Sequence, residues 1–573
     1  MKSNRHLKLE LVAALVLPLL FAGAPAAAYQ AMQGPTQMLL WNKDLAFNGY
    51  TLFAAHGGTY LIDMQGNLVH SWKIGTNPKL LPDGHLLDAA KDDPSGFGGF
   101  VEVDWDGNTV WTYNESRKDY APHHDFVRLF NKKLNAYTTM YIANRTITEA
   151  QALAVGANPK NGPYEGAQVD ALVEVDMAGK VVWEWWFLDH LVQDVDPTWP
   201  NYAGAGKTVA AAPGRLDVNL PGRPLRKDWL HCNSMDYNEE LDQVVVNAVM
   251  GEFFVVDHGN TFVAGDPAAS IALAAGAKGD FLYRFGDPAT YKQGDPPSIP
   301  ENWNTCSAGH KQVGGAHDIH WIRPGLPGAG NFLIFDNGQY MFERTWQSYG
   351  VEIDPFLGAN KVDAGKYVNP PDAGYNTFEP DKDTHKVKKF LSNQIVWRWG
   401  SLSPSGMSSH IGGSVQRLPN GNSLICADTE GHFVEVTPDG QLAWEYISPV
   451  VKAAAPIAVM QDGLPMTLSV FRALRVAPDD PRLAGRLLVP TGLLAPKDGT
   501  DAADATTGQD AATAEPSADA SGATPDTTCS CPDSGCQARP AAESGASLML
   551  ALALAGVVWL RRRQRHVAEE EAR

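Results

Sequence analysis

The sequence predicts an all-β fold, a six-bladed β-propeller with long inserted loops, on three observations. Residues 98–113 (GGFVEVDWDGNTVWTY) and 431–446 (GHFVEVTPDGQLAWEY) are identical at nine of sixteen positions, although more than three hundred residues separate them. The same unit recurs six times along the chain. Each copy alternates apolar and polar residues, turns on Asp, Gly or Asn, and ends in an aromatic strand, which is the pattern of a β-hairpin.

The copies run TYLIDMQGNLVHSW (59–72), FVEVDWDGNTVWTY (100–113), LVEVDMAGKVVWEW (172–185) and the weaker FFVVDHGNTF (253–262). GVEIDP (350–355), resumed after an insertion by QIVWRWG (394–400), is the fifth, and FVEVTPDGQLAWEY (433–446) the sixth. A second hairpin precedes several of them, as in SVQRLPNGNSLICAD before the sixth. Two hairpins make the four strands of a propeller blade. Successive repeats lie 41 to 97 residues apart. A minimal blade needs only ~40–45 residues, so loops have been inserted, and such loops commonly build a propeller's site. A ring of eight blades is the alternative.

The 573 residues carry a formal charge of −19, which excludes a nucleic-acid binder lacking a basic patch. Residues 1–28 have a basic start, a short apolar run and small residues up to Ala28, as in a signal peptide. The propeller is expected over 29–490. Residues 491–541, rich in Ala, Asp, Thr and Pro, are expected to form a disordered linker. Residues 542–573 combine a short apolar span with Arg561, Arg562 and Arg563. With the cysteines of CSCPDSGC, this end resembles the sorting tails of myxobacterial-type surface proteins. That resemblance implies processing or lipidation at Cys536; a plain membrane anchor is the alternative. The expected location is the periplasm or cell surface. Cys232, Cys306 and Cys426 are too scattered for a metal site and are expected as buried thiols, with at most one disulfide among them.

The histidines follow the repeats. PHHDFVRLFN, WLHCNSMDYN and AHDIHWIRPG open three successive blades. His124 and His231 stand seven residues before Asn131 and Asn238, and His317 seven before Pro324. Residues opening the innermost strand of several blades ring the mouth of the central channel. His432 opens the third strand of the last blade, where the other copies have Gly58, Gly99, Ala171, Glu252 and Tyr349. The fold therefore does not demand a histidine there. Strands one and three begin at the same face, so His432 is expected to join the other three. His410 lies ten residues before Asn420, outside the shared register. No closely spaced histidine–carboxylate set marks a metal site, and His317 and His320 fall on opposite strand faces. Acid–base and nucleophilic chemistry fits better.

RKDWLHCNSMDYNEELDQVVVNA, GAHDIHWIRPGLPGAGNFLIFDNG and QRLPNGNSLICADTEGHFVEVTPDGQLAWEY resemble, in order, motifs of the secreted bacterial arylsulfate sulfotransferases. The resemblance implies transfer of a sulfuryl group from a phenolic sulfate ester to a phenol, by a ping-pong cycle through a sulfohistidine. It implies no nucleotide sulfate donor, no cofactor and no metal. It places the nucleophile on His432, further catalytic histidines on His231 and His317, and a sulfate-binding arginine, by a looser match, on Arg344. His124, Asn233 and Asn337 are the expected substrate-lining residues. Relatives of this kind often form homodimers, and membrane attachment would come through the C-terminal tail. Two other classes stay open at this level. A quinoprotein-type dehydrogenase would show a calcium site and a quinone spectrum, and a non-catalytic surface propeller would bind glycans or phenols without turnover.

Overall fold

The computed structural model describes residues 37–93, 96–220, 223–297, 307–338, 348–357, 367–378, 388–400, 407–450 and 469–494. The expected signal peptide, linker and tail, with Cys306, Arg344 and Cys536, lie outside them. Among the described residues no helix is long and apolar enough to cross a membrane.

The repeated turn is built locally. Asp63 Oδ1 accepts from the backbone N–H of Gln65 and Asn67, and Asp176 Oδ1 from Ala178 and Lys180. Gly66, Gly107 and Gly179 take φ of +84°, +85° and +80°, a backbone shape that side-chain-bearing residues resist. In the sixth copy Thr437 replaces the aspartate, and its Oγ1 accepts from Gln441 N at 2.9 Å.

Six antiparallel sheets follow in ring order. The second blade is Lys79–Leu80, Leu86–Asp93, Gly96–Val103 and Thr109–Asn114. The third is Tyr120–Asn131, Ala136–Thr146, Gln168–Asp176 and Val181–Trp186. The fourth is Cys232–Asn238, Gln243–Ala248, Glu252–Asp257 and Tyr283–Phe285. The fifth is His317–Trp321, Phe332–Asp336, Tyr349–Ile353 and Ile395–Trp399. The sixth is Ser414–Arg417, Ser423–Ala427, His432–Val436 and Leu442–Ile447, with Gln37–Trp41 added outside as a fifth strand. The first blade takes Tyr50–Ala55, Gly58–Ile62 and Leu68–Trp72 from the N-terminal part, but its innermost strand, Ala473–Val476, from the C-terminal part. The two ends of the propeller thus lock one another, and the ring holds six blades, not eight.

One repeat differs from its sequence reading. Residues 258–262 of the fourth copy do not form the fourth strand. His258 is taken up between Asp242 (Nδ1···Oδ1, 2.6 Å) and Glu174 (Nε2···Oε2, 2.9 Å). The chain instead runs through a helix, Pro267–Ala274, before returning as Tyr283–Phe285. The fifth blade carries its insertion between strands three and four, including the hairpin Tyr375–Phe378 and Lys388–Ser392.

The closure carries a buried ion pair. Arg475, on the C-terminal strand, places Nη1 3.1 Å from Glu435 Oε2 of the sixth blade, and both side chains are fully buried. The same guanidinium donates to Thr51 Oγ1 and Phe47 O. Removing one member of such a pair leaves the other charged and dry, at a cost of roughly 3–5 kcal/mol. Arg475→Met should therefore lower the unfolding free energy by about that amount, read by urea denaturation; a loss within ~0.5 kcal/mol, the range of ordinary surface substitutions, would show the closure does not depend on it.

Candidate active site

At the channel mouth the innermost strands of three blades open with irregular backbone. His124 and His231 have φ of +55° and +53°, and Asp318, just after His317, has +60°. Pairing slips at each place: opposite Tyr141/Ala143, between Cys232 and Ser234, and between His317 and His320. Such bulges re-aim side chains, and left-handed backbone at a non-glycine residue costs of order 1–3 kcal/mol. In the sixth blade Gly412 and Gly413 take the left-handed conformation, φ +57° and +100°. The common result is that side chains at the start of the inner strands turn toward the mouth.

There the imidazoles meet. The rings of His124 and His231 are 4.5 Å apart, edge to face, and His123 lies 5.1 Å from His124. His231 Nδ1 is 2.5 Å from Asp228 Oδ2, an ion pair that holds the Asp228 carboxyl well below its usual range despite burial. His317 Nδ1 lies 2.9 Å from Gly315 O and 2.8 Å from Asn337 Oδ1. Both partners are acceptors, so Nδ1 carries the hydrogen and Nε2 the lone pair. Burial, with the charge of His231 adding to it, lowers the His317 pKa to about 4, so the ring is neutral at physiological pH. Burial and the neighbouring His231 and His123 likewise hold His124 well below the ordinary value.

Below the histidines lies a charged ring. Arg472 presents Nη1 and Nη2 to the two oxygens of Asp125 at 3.0 and 2.8 Å, and its Nε stands 3.0 Å from Asp318 Oδ1. Lys79 Nζ is 2.8 Å from Asp125 Oδ1. Burial alone would raise the Asp125 pKa, but Arg472 and Lys79 outweigh it and keep the carboxylate ionised. Phe471, beside Arg472, has its ring 6.1 Å from that of His317. Two cations, Arg472 and Lys79, and two carboxylates, Asp125 and Asp318, are thereby gathered in one network.

The structure brings together three of the four histidines read from the repeats. His432 is elsewhere. It begins the third strand of its blade, two strand spacings, or roughly 10 Å, out from the inner strand. Its Nε2 lies 2.8 Å from Glu445 Oε1, and Glu430 Oε2 is 3.7 Å from Nδ1. Burial would lower its pKa, but the two carboxylates prevail and lift it to about 9. The topological argument placed His432 at the right face and overlooked its radius. His258, similarly clamped and also raised to about 9, shows the same device at the opposite end of a blade.

The two asparagines serve the scaffold. Asn233 donates to Ala316 O and accepts from Asn247 Nδ2, joining the fourth blade to the fifth. Asn337 holds His317 through Oδ1, while its Nδ2 donates to Ser409 O and Gly412 O. That amide therefore ties the segment carrying the buried His410 to His317. Counting back from turn residues set His410 aside because it stands ten residues, not seven, before its turn; the left-handed Gly412 and Gly413 lie between it and the inner strand. His123, Asp170 and Arg472 were also missed. The His123–His124 doublet was visible, but Arg472 belongs to a blade whose other strands lie some four hundred residues earlier. Cys232 and Cys426 are buried free thiols. Asp83, His85 and Glu102 have atoms close enough to share a cation, but they sit at the turn end of the second blade, with Arg128 Nη2 already 2.8 Å from Glu102.

A ring of histidines over buried cations, at the mouth of a six-bladed propeller, defines a class of site suited to moving an anionic group. The chain belongs to the arylsulfotransferase (ASST) family, whose sequence profile matches residues 35–349, more than half of its length. It is thus an aryl-sulfate sulfotransferase, acting on phenolic substrates. His124, His231 and His317 fall within the matched span, and His410, His432 and Arg472 beyond it. No curated protein matches the chain. Among solved structures it is similar to a Bacteroides caccae protein of unknown function, with 10% identity over 75% of this chain and 99% of that one, TM-score 0.35. It is also similar to the Myceliophteria thermophila Cps50 (Swd1) β-propeller domain, with 9% identity over 71% and 90%, TM-score 0.28. A third is virginiamycin B lyase from Staphylococcus aureus, with 7% identity over 72% and 88%, TM-score 0.28. Likenesses this loose bear on no functional point.

His432 gives a pH test. Its folded pKa, about 9, lies above the unfolded value of ~6.5. Its contribution to stability is therefore complete below pH ~6.5 and is lost as pH rises through about 9. His432→Gln should destabilise the protein at pH 6 and make little difference at pH 9.5, in thermal denaturation of the two proteins side by side. An equal loss at both pH values would contradict the carboxylate clamp.

Proposed function

We propose that this chain moves a sulfuryl group from a phenolic sulfate ester to a phenol in two steps, through a sulfohistidine formed at the mouth cluster and without a nucleotide donor. The observation that carries this reading is the state of His317: neutral, buried, and fixed by Asn337 and Gly315 in the tautomer whose Nε2 bears the lone pair. In the first step His317 Nε2 attacks sulfur, the S–O bond to the aryl oxygen breaks, and that oxygen takes a proton from a neighbouring imidazole as the phenol leaves. In the second an acceptor phenol oxygen attacks the same sulfur and gives its proton to that imidazole, the S–N bond breaks, and His317 is regenerated. Charge spreads over the sulfuryl oxygens during both steps, as in phosphoryl transfer. Arg472 stands beside this cluster with its charge shared between Asp125 and Asp318, and the His231–Asp228 pair places a second imidazole beside the transferring group. The basic, apolar start of the chain supports export, and the tail supports envelope retention with Cys536 as the processed residue.

Purified protein should transfer sulfate from 4-nitrophenyl sulfate to phenol, with parallel lines in double-reciprocal plots for a ping-pong cycle. His317→Ala should lower turnover by at least ~10³-fold, the scale seen when a covalent nucleophile is removed, while His432→Ala keeps substantial activity. After incubation with donor alone, peptide mapping should find one sulfuryl increment on the His317 peptide. An increment on His410, tied to the same spot by Asn337, would keep the site and move the nucleophile; one on His432 would contradict the reading.

A further inference from the structure

We propose that Asp170, His123 and His124 form a proton relay that serves the phenol oxygen during sulfuryl transfer. The inference rests on the reading that phenolic sulfates are turned over at this mouth. His123 Nε2 is 2.9 Å from Asp170 Oδ1, and His123 Nδ1 is 2.8 Å from His124 Nδ1. Asp170 is buried, and its other oxygen accepts from Cys232 N at 3.4 Å, so the carboxylate is fixed between the third and fourth blades. His124 is fixed from the other side: Asn77 Nδ2 donates to its carbonyl at 2.9 Å, and its bulged backbone delivers the ring to His231.

The two ring contacts permit only one hydrogen between the facing Nδ1 atoms, and this gives the relay two forms. In the first, His123 is an imidazolium, donating Nε2–H to Asp170 and Nδ1–H to His124 Nδ1, and His124 carries its own hydrogen on Nε2. In the second, His124 Nε2 has given up that proton, the hydrogen between the rings has moved onto His124 Nδ1, and His123 is neutral. Departure of the donor's phenolate takes the proton from His124 Nε2 and converts the first form to the second. Attack by the acceptor phenol returns a proton to His124 Nε2 and restores the first form. Proton count balances over the cycle. The positive charge exists only in the first form, where it sits on His123 against the Asp170 carboxylate, and it never rests on His124, whose burial among other imidazoles resists protonation. His124 is the group that meets the phenol oxygen; His123 and Asp170 act through it.

A relay of this kind matters for weakly acidic phenols and little for phenols already ionised at neutral pH. The test uses His123→Phe and Asp170→Asn in the full chain, with 4-methylumbelliferyl sulfate as donor and phenol or pentafluorophenol as acceptor. The burst of released umbelliferone counts competent sites and normalises each preparation; if His123→Phe gives no burst, Asp170→Asn carries the test. The phenol-to-pentafluorophenol ratio of kcat/KM should fall by roughly 10²-fold in the variants, the usual worth of a general acid–base. An unchanged ratio, with both acceptors slowed alike, would overturn the relay while leaving the sulfotransferase reading in place. Wild-type protein that transfers to neither acceptor would overturn the reading beneath it.

Discussion

The inner edge of each blade is the constraint on which the rest of this structure depends. An innermost strand pairs on one side only, so its other row of backbone N–H groups faces the channel and must find partners. Here the preceding blade supplies them from side chains. Asp125 of the third blade accepts from Met235 N of the fourth at 3.0 Å, and Asp236 of the fourth from Trp321 N of the fifth at 3.1 Å. Asp318 of the fifth accepts from Val415 N of the sixth, and Gln416 of the sixth from Arg475 N of the first. The same carboxylates then need countercharge, which Arg472 and Lys79 bring into the channel. One requirement of the fold thus gathers two cations among the inner-strand carboxylates.

The bulges follow from the same geometry. A strand whose side chains reach forward to the next blade cannot also aim its first residues at the axis without a break in register. The breaks at His124, Cys232–Ser234 and Asp318 provide that change of direction, and they fall where the histidines are. The strained backbone at His124, His231 and Asp318 is held by the paired strands around it, as expected where a site requires a set arrangement. Asn337 shows how closely scaffold and site are joined, since one amide sets the His317 tautomer and secures the entry to the sixth blade.

Much of this was legible in the sequence where the cause is local. The Asp-x-x-Gly turn writes its own hydrogen bonds within five residues, so the hairpins and the count of six could be read directly. The places of His124, His231 and His317 could be counted back from the turns because each stands seven residues before the residue that marks its turn, Asn131, Asn238 or Pro324. What could not be read depends on distant chain. The fourth copy lost its second strand because Asp242 and Glu174, outside the motif, claim His258. His432 was assigned to the mouth from strand direction and from the motif resemblance, whereas its distance from the inner strand and its clamp by Glu430 and Glu445 are tertiary facts. Arg472 was hidden because the first blade is completed from the far end of the propeller.

The central claim is that the sulfuryl group is handled by inner-strand histidines above the Arg472–Asp125 ring. A crystal structure with an aryl sulfonate, which presents the same three oxygens but no transferable bond, tests it most directly. The sulfonate should lie at the channel mouth with its sulfur facing His317 Nε2 and an oxygen at ~3 Å from an imidazole nitrogen of His231, within hydrogen-bonding distance. A sulfonate bound at His432, or anywhere away from the mouth, would contradict the account.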